Sequence, residues 1–101
     1  MEDNAAQGIF HSAEWYREYG KSLLDSEDPE RRSTGVQSIL KAYRMSDPEA
    51  TYIVGKMLLR GQLRPGSKDP EEAALEALCR AANMGCVQAR SLLNWYCIRR
   101  Y

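Results

Sequence analysis

Apolar residues along this chain recur every three or four positions, and nowhere do they alternate over the length of a strand. Val36, Ile39, Leu40 and Tyr43 fall at i, i+3, i+4 and i+7, the spacing that lays one stripe along an α-helix. Ala50, Val54, Met57 and Leu58 form a second stripe, Leu75, Leu78 and Ala82 a third, and Ala89, Leu93 and Tyr96 a fourth. A shorter stripe of Tyr16, Gly20, Leu23 and Leu24 opens the series. β-Branched residues are sparse, which weakens any strand reading further. The pattern predicts an all-α chain of five helices, at about 12–25, 29–45, 48–60, 70–84 and 87–99.

The boundaries come from punctuation. Asp-Pro-Glu occurs three times, at Asp28-Pro29-Glu30, Asp47-Pro48-Glu49 and Asp69-Pro70-Glu71. Asp before Pro is driven away from helical angles, which suits an N-cap whose carboxylate accepts from first-turn amides. Pro at the first helical position loses an N–H that has no partner anyway. Glu in the first turn complements the helix dipole. The tripeptide therefore marks helix starts; a convergent acidic metal site would need three helix starts to meet in space. Ser12 is the corresponding cap candidate for the first helix, and Gly61 and Gly85 are candidates for C-terminal glycines.

Comparison of the chain with itself shows an internal repeat. Ile39 and Leu78, Ala42 and Ala81, Met45 and Met84, and Ala50 and Ala89 are each 39 residues apart. Gly20-Lys-Ser-Leu23-Leu24 matches Gly55-Lys-Met-Leu58-Leu59 at an offset of 35. The unit is two helices and two turns. Glycine inside a helix costs about 1 kcal/mol relative to alanine, so Gly20 and Gly55 predict close approach of a neighbouring helix. Ser46 stands where the second unit has Gly85, and Asn94 stands where the earlier helices have Gly20 and Gly55.

The run EATYIVGKMLLRGQL, then DPEEAALEALCRAANMG, then VQARSLLNWY resembles the Sel-one-like repeat, a relative of the tetratricopeptide repeat. Ala50, Val54, Gly55 and Leu58 take the first-helix positions of that pattern. Gly61, Asp69, Ala73, Ala81, Ala82, Gly85 and Ala89 follow in order. Residues 50–93 carry the resemblance, and residues 12–49 match it weakly. It implies a right-handed α-α superhelix of about two and a half hairpin repeats: repeat one at about 12–45, repeat two at about 48–84 and a terminal half repeat at about 87–101, after an N-terminal tail at 1–11. It also implies a non-catalytic scaffold that presents a groove to a protein or peptide partner. The groove positions are Arg17 and Lys21 on the first helix, Glu49, Tyr52 and Lys56 on the third, and Gln88, Ser91 and Trp95 on the fifth. In the secreted branch of the family, cysteines replace alanines at positions matching roughly Ala82 and Ala89. Here Cys79 and Cys86 lie elsewhere, which implies the reduced, cytoplasmic branch.

Composition changes the picture little. The 101 residues suit one domain, and 14 basic residues balance 14 acidic ones. A neutral chain gives no electrostatic reason to expect nucleic acid or an anionic membrane. No apolar run approaches the roughly 20 residues of a membrane span, and the acidic start Met1-Glu2-Asp3-Asn4 does not read as a signal peptide. Three cysteines without a Cys-x-x-Cys pair, and one histidine, His11, make a zinc site or a catalytic set a poor fit. The expectation is no cofactor, no metal and no enzymatic activity. Trp95, Ile98 and Tyr101 fall three apart on the last helix and suggest a self-association edge, giving a homo-oligomer through that helix. Two alternatives stand beside the scaffold reading: nucleic-acid binding through Arg90, Arg99 and Arg100 with Trp95 and Tyr96, and a small oligomeric structural domain cut from a longer chain.

Overall fold

In the computed structural model, residues 11–66 and 69–100 are described, with side chains described through residue 96. Five helices follow in order: α1 (Ala13–Leu24), α2 (Pro29–Arg44), α3 (Pro48–Leu59), α4 (Pro70–Asn83) and α5 (Val87–Arg100). The protein is all-α, and each helix packs on the next. All three Asp-Pro-Glu copies start helices. Asp28 accepts from the Glu30 amide at 3.1 Å, Asp47 from the Ala50 amide at 2.8 Å and Asp69 from the Glu72 amide at 3.1 Å. Ser12 caps α1 by accepting from the Trp15 amide at 3.1 Å. The expected tail, 1–11, lies outside the described residues except for His11.

Two helix crossings use the internal glycines. A β-carbon on Gly20 would stand 2.7 Å from Ile39 Cγ1 and 2.8 Å from the Gly35 carbonyl oxygen. One on Gly55 would stand 2.8 Å from Leu78 Cδ2 and 3.4 Å from the Ala74 carbonyl oxygen. Thus α1 lies on α2 through Gly20, Gly35 and Ile39, and α3 lies on α4 through Gly55, Ala74 and Leu78. Gly35 and Ile39 of the first pair stand 39 residues before Ala74 and Leu78 of the second, so the sequence repeat is also a repeat of packing.

The turns repeat as well. After α2 the Ser46 amide donates to the Tyr43 carbonyl and the Asp47 amide to the Ala42 carbonyl. After α4 the Gly85 amide donates to the Ala82 carbonyl and the Cys86 amide to the Ala81 carbonyl. Both are Schellman motifs, which need a left-handed residue just past the cap. Gly85 supplies it at φ 97°, whereas Ser46 adopts φ 65° with a side chain present. Gly61, at φ 75°, ends α3 in the same way.

The core follows the α3 stripe and elsewhere shifts toward small residues. On α3 Ala50, Val54, Met57 and Leu58 are buried as their spacing predicts, whereas on α2 Ile39 is buried with Gly35, Ser38 and Ala42 while Val36, Leu40 and Tyr43 are half-buried. On α4 the buried residues are Ala73, Ala74, Ala77, Leu78 and Ala81, while Leu75 and Ala82 are half-buried. The periodicity follows the large side chains, but close helix approach selects the small ones. Buried polar groups are satisfied, within a turn or across a helix crossing. Thr51 Oγ1 donates to the Asp47 carbonyl at 2.8 Å, and Ser38 Oγ to the Tyr16 carbonyl at 2.7 Å.

A candidate ligand groove across the first three helices

The second Asp-Pro-Glu does more than start a helix. Asp47, 8% exposed, turns its carboxylate both to the Ala50 amide and to Arg17 on α1. Arg17 Nη1 reaches Asp47 Oδ1 at 3.0 Å and Oδ2 at 3.2 Å. Arg17 Nε lies 2.9 Å from Glu18 Oε2 and 3.4 Å from Glu49 Oε1, and Nη2 lies 3.6 Å from Glu14. Lys21 Nζ donates to Glu49 Oε2 at 2.7 Å and lies 3.6 Å from Glu18. Two cations on α1 thus bridge to two carboxylates at the start of α3.

The charges tune one another. Burial alone would lower the Arg17 value, but hydrogen bonds to Glu18 and Asp47 and the charges of Asp47 and Glu49 outweigh it and raise it. The hydrogen bond to Arg17, opposed by slight desolvation and helped by the charge of Lys21, holds the Glu18 carboxyl below its ordinary range. The hydrogen bond to Glu49 raises the Lys21 ammonium.

Beside this clamp lies a groove of about 750 Å³. One wall is α3, with Glu49, Tyr52, Lys56 and Arg60. The other is the end of α1 with the N-terminal half of α2, including Lys21, Asp25 and Arg32. Leu24, Val36, Ile53 and Met57 also line it. Lys56 Nζ sits 4.8 Å above the Tyr52 ring, a cation–π geometry. Five of the expected groove residues therefore come together: Lys21, Glu49, Tyr52, Lys56 and Gln88.

The other three do not line it. Arg17 is 15% exposed at its side chain and is spent in the ion cluster. Ser91 and Trp95 are exposed on α5, Trp95 by 54%. Ile98 and Tyr101 of the expected self-association edge lie outside the residues whose side chains are described. The α2 contribution, Arg32 and Ser33, was missed because a polar run beside an apolar stripe reads as a plain solvent face. A second missed feature is the exposed aromatic run on α1, where His11 stacks on Trp15 at 3.6 Å and Trp15 on Tyr19 at 5.1 Å.

The internal repeat gives the residues of the ion clamp counterparts in the second unit. Arg17 corresponds to Tyr52 and Lys21 to Lys56 at an offset of 35, while Asp47 corresponds to Cys86 and Glu49 to Gln88 at 39. The first joint is built of charges. The second is apolar: Tyr52 packs against the cluster of Leu78, Ala81, Cys86 and Ala89. Cys79 and Cys86 are free thiols, exposed and buried respectively. Among the described residues no group of three or more His, Cys, Asp or Glu side chains is placed to hold a metal ion. None of their helices is long and apolar enough to cross a membrane. No family model matches the chain, and neither curated proteins nor solved structures yield a match.

Proposed function

We propose that the protein is a non-catalytic interaction module of the Sel-one-like repeat kind, a short superhelix of helical hairpins that holds a peptide segment of another protein in the groove between α1, α2 and α3. The observation that supports this most is the groove itself. It joins an apolar floor of Val36, Ile53 and Met57 to a polar rim on both walls, the composition expected of a recognition site. Tyr52 adds an aromatic side chain of the type enriched at binding hot spots. The walls are helices whose ends are capped and whose crossings are tight, so the groove is preformed and little ordering opposes binding.

The test is selection from a random peptide library displayed on phage, run in parallel on the native protein and on Tyr52→Ala/Lys56→Glu. The reading expects a peptide motif enriched on the native protein and lost on the variant. Equal enrichment of the same peptides on both would show that the groove is not the binding surface.

A further inference from the structure

We propose that the groove selects acidic peptide segments, with carboxylates facing Lys56, Arg60 and Arg32 and an apolar side chain on the floor between them. This rests on the peptide-groove reading above and names its ligand class. Four cations line the groove, Lys21, Arg32, Lys56 and Arg60, against two carboxylates, Asp25 and Glu49. Glu49 is already committed to Lys21 and Arg17. The chain as a whole is neutral, so the cation excess belongs to the groove.

The internal repeat shows where the excess arises. In the first unit Lys21 meets Glu49 at 2.7 Å. In the second, the lysine is kept as Lys56 while the glutamate becomes Gln88, and both line the groove. The same ammonium is thus neutralised in one unit and left open in the next. Among the described residues no carboxylate lies within ion-pair distance of Lys56, Arg60 or Arg32. Arg32 is steadied by donating to the Ser26 carbonyl at 2.8 Å, a bond that holds the guanidinium in place without cancelling its charge.

Spacing adds a constraint. Lys56 and Arg60 are one helical turn apart, which places their stems about 5–6 Å from each other. In an extended peptide, residues i and i+2 on one side are spaced about 6.6 Å. Two acidic residues separated by one other residue therefore match the α3 pair. A carboxylate reaching Arg32 on the opposite wall completes a two-sided grip. Electrostatic complementarity of this kind mainly sets selectivity and association rate.

Fluorescence anisotropy would test the proposal with three labelled decapeptides in which Leu alternates with Glu, with Gln or with Lys, and with a labelled oligouridine. The expected result is saturable binding of the Glu peptide, about tenfold or more tighter than the Gln peptide, with no binding of the Lys peptide. Raising NaCl from about 50 to about 500 mM should weaken the Glu peptide severalfold. Lys56→Gln/Arg60→Gln should abolish the preference for Glu over Gln, and Arg32→Gln should halve it or more. Arg90→Glu, exposed on α5, should leave it intact. Neutral variants keep helical propensity, and a circular dichroism melt verifies their folding. Equal binding of the Glu and Gln peptides would overturn the acidic preference and leave a peptide groove standing. Oligouridine binding tighter than the Glu peptide, lost in the same variants, would replace it with a nucleic-acid site. Failure of every probe to bind would overturn both the preference and the groove.

Discussion

Removing Arg17 is the perturbation that most directly tests how α1 is held against α3. The Asp47 carboxylate is 8% exposed and takes two contacts from Arg17, at 3.0 and 3.2 Å, besides its cap bond. In Arg17→Met the anion keeps only the Ala50 amide. Hydrogen bonds to charged groups contribute about 1.5–3 kcal/mol, and the open side of the Arg17 cluster places this one near the lower end, at about 2 kcal/mol. Asp47→Asn retains a competent cap and leaves Arg17 with Glu18 and Glu49, so its cost should be about 1 kcal/mol. If the two groups act on each other, the double variant costs about 2 rather than about 3 kcal/mol, a coupling of about 1 kcal/mol. Urea unfolding followed by circular dichroism reads this directly. With a slope of about 1 kcal/mol per molar for a chain of this size, Arg17→Met lowers the midpoint by about 2 M. Costs that add to within about 0.3 kcal/mol would refute the coupling and leave apolar packing to hold the joint.

Three further outcomes follow from geometry already described. Ser46→Gly should raise stability by about 0.5–1 kcal/mol in the same urea assay, because it relieves a left-handed residue with a side chain at the cost of a more flexible unfolded chain. Gly20→Ala should destabilise by about 2 kcal/mol or more and Gly55→Ala by less, since the first meets the Gly35 carbonyl at 2.8 Å and the second mainly the Leu78 side chain; thermal melts of both rank them. For pH, Glu18 is depressed in the folded state, so its contribution is complete above the ordinary carboxylate range and fades as pH falls through the lowered value. Lys21 is raised, so its contribution is complete below the ordinary lysine value and fades as pH rises through the raised one. Urea midpoints taken across pH should show Glu18→Gln flattening the acid limb more than the alkaline one and Lys21→Gln the reverse, since each charge also shifts the other.

Helix starts were legible almost to the residue, because Asp-Pro leaves the backbone few options. Helix ends were legible at Gly61 and Gly85, and the repeat placed the end of α2 before Ser46 as well, though not that a serine would hold a glycine conformation there. The α4 stripe shows what periodicity misses. Leu75 and Leu78 dominate by size, yet close approach to Gly55 made Ala74 and its alanine neighbours the buried face. The α3 wall of the groove could be read from the apolar stripe, since Glu49, Tyr52 and Lys56 flank it. Whether a flanking charge stays open depends on what another helix brings near it. Nothing within α1 tells that Arg17 meets Asp47, thirty residues on, while Lys56 shares its groove lining with Gln88.

The difference between the two joints gives the molecule one thermal habit reached by two routes. The apolar seat of Tyr52 against Leu78, Cys86 and Ala89 loses strength on cooling, as hydration of nonpolar surface becomes less unfavourable. The Arg17–Asp47 clamp also weakens on cooling, because the penalty for stripping water from charges falls as temperature rises. Cold therefore loosens both joints, and at high temperature, where the apolar contribution levels off, the ionic seam still gains. Two copies of one architectural plan lean on warmth alike, one through the water around carbon and the other through the water around charge.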